Sequence, residues 1–202
     1  MRMRKKKNGE ARMQNCAEYL LNEKPCSLKN VMIEIGCGKG GFMLALAEKN
    51  PETQFVAIEK ISDVLLLAAE KIKKAELKNV KLLCADAETL SEYFEEGSVA
   101  RIYLNFSDPW PRPKHAKRRL TAPKYLEIYK KLLAPDGAIY FKTDNRILFD
   151  YSLETLREAG FKLEKLTYDL HNSEYEKDNI HTEYENNFSA KGFAINRVEA
   201  YK

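Results

Sequence analysis

The chain has 202 residues, 44% of them hydrophobic and 32% charged, which excludes global disorder and allows one sizeable core. Its net charge is only +4, yet the basic residues are concentrated in two places. Arg2, Arg4, Lys5, Lys6 and Lys7 crowd the start, and Arg112, Lys114, Lys117, Arg118 and Arg119 form a second cluster, a pattern that points to a polyanionic partner such as nucleic acid.

No apolar run is long enough to span a membrane, and the basic start lacks the hydrophobic region of a signal peptide, so a cytoplasmic protein with reduced thiols is expected. Cys16, Cys26, Cys37 and Cys84 form no C-x-x-C pair, and His115, His171 and His181 complete no metal-ligand spacing, so no metal is expected. Cys84 lies in an apolar run and reads as core.

In chain order, residues 1–10 read as a basic, flexible tail and 11–202 as one domain, with a helical turn near Ala17–Leu21. Val31–Ile35 is a short strand, 36–41 a glycine loop, and Phe42–Lys49 a helix stopped by Asn50-Pro51. A strand at 54–59 leads to a helix at 62–74 with Ser62 as its N-cap, and a third strand covers 80–84. A short helical piece follows at 87–94. The fourth strand, 100–106, delivers the stiff loop Asp108-Pro109-Trp110-Pro111, because proline on both sides of Trp110 excludes helix or central strand there. A helix at 123–133, a turn at 134–137, a strand at 138–142 and a helix at 146–159 ended by Gly160 complete the alternation. The tail then breaks it with two strands, 161–170 and 192–201, expected to pair antiparallel at one edge.

Such alternation predicts an α/β fold with a mostly parallel sheet and helices on both faces. Ligands of these sheets bind beyond the carboxyl ends of the strands, which places the glycine loop, Glu59, Asp86, Asp108 and Asp144 on one rim. Gly36, Gly38 and Gly41 satisfy G-x-G-x-x-G with Glu59 about twenty residues on, as an NAD site requires. The same glycines fit the E-x-G-x-G-x-G pattern of S-adenosylmethionine (SAM) enzymes, in which Glu34 belongs to the motif. A carboxylate there would repel a pyrophosphate but welcome an ammonium or sulfonium, so charge sign favours SAM. Glu59 suits ribose hydroxyls in either case. Asp86 is positioned for an adenine amino group or as an N-cap. Trp110 reads as a brace for its loop rather than a stacking platform.

The motifs I-E-I-G-C-G-K-G at 33–40, Y-L-N-F-S-D-P-W-P at 103–111, K-R-R-L at 117–120, F-K-T-D-N at 141–145 and T-E-Y-E at 182–185 resemble those of the bacterial tRNA (guanine-N7)-methyltransferase family. The resemblance implies a single-domain Rossmann-like SAM-dependent methyltransferase fold and methylation of a guanine in the variable loop of tRNA. It implies that Glu34, Gly36, Gly38, Glu59, Asp86 and Asp108 line the SAM site, with Asp108 catalytic. It further implies that Arg112, Asp144, Thr182, Glu183, Tyr184 and Glu185 bind the target guanine, and that Lys114, His115, Lys117, Arg118 and Arg119 contact RNA. Where the family has Lys after D-P-W-P, this chain has Arg112, a planar fork in place of a point charge. An NAD-dependent oxidoreductase and a non-catalytic RNA-binding module stand as the alternatives, and monomer against homodimer is open.

Overall fold

The computed structural model describes residues 6–182, 184–186 and 192–202. Glu183 and the basic residues Arg2, Arg4 and Lys5 lie outside the described residues. The strands are β1 Val31–Ile35, β2 Phe55–Ile58, β3 Val80–Leu83, β4 Val99–Asn105, β5 Leu133–Thr143, β6 Lys162–Thr167 and β7 Asn196–Tyr201. They form one seven-stranded sheet in the order β3-β2-β1-β4-β5-β7-β6. β1 to β5 are mutually parallel, and β7 runs antiparallel to both β5 and β6. The expected antiparallel pair is therefore present, with the later strand inserted and the earlier one at the edge.

The helices are α1 Gly9–Gln14, α2 Gly41–Lys49, α3 Ser62–Lys74, α4 Pro123–Leu132 and α5 Arg146–Glu158. Alternation along each strand decides which helix it meets. Phe55 and Ala57 of β2 pack with Phe42, Met43 and Leu65 of α2 and α3. Val56 and Ile58 turn the other way, into the core formed with Leu126 and Tyr129 of α4 and Leu148, Phe149 and Leu156 of α5. On the α2 side, beyond α2 itself, the sheet presents Tyr103, Asn105, Tyr140, Lys142, Arg197 and Glu199. These residues help line a cavity of about 450 Å³.

Several local readings are corrected. Ser62 is the first helical residue of α3 and makes no capping bond; the N-cap is Ile61. The chain turns one residue early because the Ile61 amide donates to Glu59 Oε1, 3.0 Å away. Cys84 is exposed rather than core, since β3 ends at Leu83 and the next side chain leaves the sheet at its rim. The turn at 134–137 is absorbed into β5, which already pairs at Leu133 and shifts register before Ala138 meets Arg101. α1 begins within the segment read as a tail: the Lys6 amide donates to Asp63 Oδ1, and Arg12 forms a two-pronged bond to Glu70, both at 2.7 Å. No helix among the described residues is long and apolar enough to cross a membrane.

Candidate functional site

The strand order reverses between β1 and β4, and a sheet that reverses opens a crevice there. After β1, the chain enters three left-handed glycines, Gly36, Gly38 and Gly40, with φ of 80°, 56° and 72°. Two of them serve different ends. A Cβ on Gly38 would meet nothing within 4 Å, so that glycine keeps backbone open to a ligand, whereas a Cβ on Gly40 would stand 2.8 Å from the Ala68 Cβ. Gly40 is thus what lets α2 start hard against α3.

The crevice holds two adjoining clefts that share Gly36 and Phe106. The first, about 240 Å³, is lined by Ile58, Glu59, Ile61, Asp86, Ser107, Asp108, Trp110 and Arg118, among others. Asp86 caps the following 3-10 turn by accepting from the Glu88 amide at 3.1 Å and also lines this cleft. The second, about 320 Å³, is bounded by Glu34, Gly38, Lys39, Asn105, Thr182 and Tyr184.

Glu34 is 2% exposed. Its Oε1 accepts from Asn105 Nδ2 at 3.0 Å, while Oε2 is buried without a hydrogen-bond partner. Burial pushes its carboxyl up to about 7, against the Asn105 bond and the charge of Lys142, which pull it down. A half-satisfied buried carboxylate at the mouth of a cleft fits a cationic ligand group such as the SAM ammonium, and does not fit a pyrophosphate.

The loop after β4 is held in an uncommon shape, with Phe106 at φ 50° and Trp110 at φ 41°, both in the left-handed region. Arg119 explains how. It is 6% exposed, donates from Nε to the Pro109 carbonyl at 3.0 Å and from Nη2 to the Trp110 carbonyl at 3.3 Å, and lies 4.3 Å over the Tyr151 ring. Arg119 was expected among the RNA contacts; the structure turns it inward, because two carbonyls freed by the adjacent prolines need donors. Lys114, Lys117 and Arg118 remain exposed on the 3-10 turn Pro113–Arg118, with Arg112 just before it. The Arg118 guanidinium lies 4.9 Å from the Trp110 ring, and His115 meets that ring edge-on. Trp110 is thereby packed as a brace.

On the far side, T-E-Y-E forms a reciprocal cap. The Glu185 amide donates to Thr182 Oγ1 at 2.8 Å, and Glu185 Oε2 accepts from the Thr182 amide at 3.3 Å. This is a capping box, readable in the sequence as Thr-x-x-Glu but missed there. Glu185 is fully buried and also accepts from Lys142, Asn179 and His171 at 2.7, 2.7 and 2.9 Å. Those bonds hold its carboxyl below the usual range despite burial. Tyr184 stays 42% exposed, packs its ring 5.0 Å from Phe106, and hydrogen-bonds Asp144. Within the segment, Thr182 and Tyr184 border the second cleft, Asp144 is held by Tyr184, and Glu185 is buried behind them.

The histidines are less scattered than their spacing implies. His171 and His181 stack with centroids 5.0 Å apart, and with Glu185 offer three ligand atoms within 4.8 Å. The rings are parallel to within 1°, so their in-plane lone pairs do not converge on one point, and each ring is already hydrogen-bonded to a glutamate. Lys142 and Asn105, which bond Glu185 and Glu34, were not singled out from the sequence. The one available signal was a polar residue interrupting an apolar strand.

A family model described as "Putative methyltransferase" matches residues 28–198. The tRNA (guanine-N(7)-)-methyltransferase of Listeria innocua is 54% identical over 170 residues, covering 84% of this chain and 79% of that protein. The enzyme of the same name from Streptococcus pyogenes is 44% identical, covering 99% of each chain. Among solved structures, an antibiotic-related methyltransferase superposes with a TM-score of 0.62 over 99% of this chain and 96% of that one at 17% identity. A SAM-dependent methyltransferase from Aquifex aeolicus gives 0.60 over 96% of this chain and 89% of that one at 15% identity, and likeness at that level speaks for the fold alone. The fold is that of Rossmann-like methyltransferases, and the sequence matches show that the chain belongs to the SAM-dependent tRNA (guanine-N7)-methyltransferase family.

Proposed function

We propose that this cleft transfers a methyl group to N7 of a guanine in the variable loop of tRNA, with the donor lying along the Glu34–Asp86 rim and the base entering beside Asp108, Asp144 and Tyr184. One observation carries the reading: the orphaned buried oxygen of Glu34 stands at one end of a groove whose other end presents Glu59 and Asp86. A carboxylate for an amino acid ammonium and two for a nucleoside is the acceptor set that SAM needs, and that NAD does not. When bound, SAM supplies an electrophilic methyl carbon on a sulfonium.

The protein's part is positioning and charge. Guanine N7 carries a free lone pair, so no proton has to be removed before the N–C bond forms as the S–C bond breaks, and orientation is the main contribution. The methylated base becomes cationic, so carboxylates at Asp108 and Asp144 stabilise the transition state more than the ground state. Both can accept from the adjacent N1–H and 2-amino group of guanine, a donor pair that adenine lacks. The exposed cations Arg112, Lys114, Lys117 and Arg118 hold backbone phosphates without reading sequence, and RNA shape supplies selectivity.

Labelled SAM and unmodified tRNA, followed by nucleoside mass spectrometry, test the reading. The label is expected in 7-methylguanosine, and label on another base or on protein would overturn it.

A further inference from the structure

We propose that Lys142 is a positioning residue for methyl transfer: it pins Asn179, Ile180 and Glu185 to the sheet, beside the cleft, without touching the base. The inference rests on the functional reading above, in that the pinned segment is the one that carries Tyr184.

Lys142 lies on β5, two residues before Asp144, and is 6% exposed. Its ammonium has three N–H donors, and three acceptors take them: Asn179 Oδ1 at 2.8 Å, the Ile180 carbonyl at 3.0 Å and Glu185 Oε2 at 2.7 Å. No donor is left over for a ligand. All three acceptors belong to the one stretch of chain that connects β6 to β7. Asn179 also donates to Glu185 Oε1 at 2.7 Å, so the stretch is closed on itself as well as on the lysine.

A buried ion pair is a costly way to fill space, because the desolvation of both charges offsets most of their attraction and an apolar pair is often as stable. What the charged pair adds is a fixed place. The Thr182–Glu185 capping box by itself would orient the first turn only relative to its own chain. Lys142 ties the carboxylate of that box to the strand that also carries Asp144, so Tyr184 and Asp144 are referred to one rigid frame. The same frame reaches the donor end: Lys142 sits opposite Asn105 in the β4–β5 register, and Asn105 holds Glu34.

The test uses the full chain, with SAM affinity by calorimetry and kcat and KM on unmodified tRNA. Lys142→Met keeps the apolar stem and removes the donors. It should lower kcat/KM for tRNA by about 10²-fold, the scale of a small misplacement of reacting groups. SAM affinity should stay within about threefold of the wild type. In Lys142→Ala, added methylammonium should restore part of the activity saturably, whereas tetramethylammonium, which has no N–H, should not. Lys142→Met/Glu185→Gln should be no slower than Lys142→Met alone, because the buried charge that Lys142→Met leaves uncompensated is removed with it.

Wild-type kcat/KM in Lys142→Met would overturn the proposal. So would an equal fall in SAM affinity and activity with no amine rescue, the signature of a residue that only keeps the protein folded. Should Lys142→Met not fold, the double variant decides: SAM binding with defective tRNA methylation supports the proposal, and full activity overturns it. A wild type that fails to methylate guanine N7 would instead sink the functional reading, so the two failures are told apart.

Discussion

Along the half of the cleft assigned to the methyl donor, shape comes from the main chain: three left-handed glycines, a helix start pressed on Ala68, and strand ends fixed by parallel pairing. Along the half assigned to the acceptor base, shape comes from side chains: Lys142, Asn179, Glu185, Thr182 and His171 bond one another into one network. The first construction tolerates almost no change at the glycines and much change elsewhere. The second concentrates its dependence in a few polar groups, each of which is costly to leave unpaired. A methyl donor is the same molecule at every turnover, and a main-chain site suits it. A base presented by a folded RNA needs a surface tied to the rest of the binding face.

That contrast can be broken or sharpened by experiment. The largest effect is expected at the seam, where Asp108→Ala should lower kcat by roughly 10²–10³-fold with tRNA affinity nearly intact. Near-wild-type turnover would make Asp108 a structural residue. Arg119→Met comes next. With the Pro109 and Trp110 carbonyls unbraced, kcat/KM should fall by up to about 10²-fold while the salt dependence of tRNA binding is unchanged. A flattened salt dependence would return Arg119 to the phosphate contacts.

The donor half is probed by pH. Glu34 has its carboxyl raised to about 7 by burial, so it is protonated at pH 6 and must ionise to hold an ammonium. SAM affinity should rise close to tenfold between pH 6 and pH 7.5, and Glu34→Gln should flatten that rise. The linked stability runs the other way. A carboxyl whose folded pKa exceeds its unfolded value of 4.5 retains its proton in the native state, so ligand-free stability should decline by a few kcal/mol as pH climbs from 4.5 to about 7. Thermal melts of wild type and Glu34→Gln across that range check the sign. In the acceptor half, Tyr184→Phe removes the bond to Asp144 and should raise KM for tRNA by roughly threefold to tenfold with SAM affinity unmoved. The smallest effect is expected outside both halves. Lys117→Ala should leave kcat alone and reduce the salt slope of tRNA binding by roughly 0.7–0.9.

The donor half was legible in the sequence because its determinants are local. A strand, a glycine loop and a helix lie within twenty residues of one another, and Glu34, Gly36 and Gly38 fall where the motif puts them. The acids at 59, 86, 108 and 144 were placed on one rim by counting strands, and the structure has each just beyond a strand end. The acceptor half was legible only in part. T-E-Y-E was visible as a motif, but that Glu185 faces inward follows from Lys142, 43 residues earlier, and no spacing rule connects them. Arg119 was grouped with its neighbours because charge density in a sequence does not say which member of a cluster turns inward. Cys84 was misplaced for the opposite reason, since an apolar run does not announce the residue at which a strand stops.

The insertion of β7 between β5 and β6 has a consequence for the order in which the molecule can assemble. β6 is made first, yet its partner in the sheet among the described residues is β7, which follows it by about thirty residues. While the ribosome is still between them, β6 lacks its native partner, and the segment carrying His171, Asn179 and Tyr184 is tethered at one end only. Closure of the β5–β7–β6 ladder then completes the sheet and the acceptor half together. The donor half, from β1 to β5, has all its strands in hand well before that moment. A nascent chain should therefore gain the capacity to hold SAM before it can present a surface for tRNA.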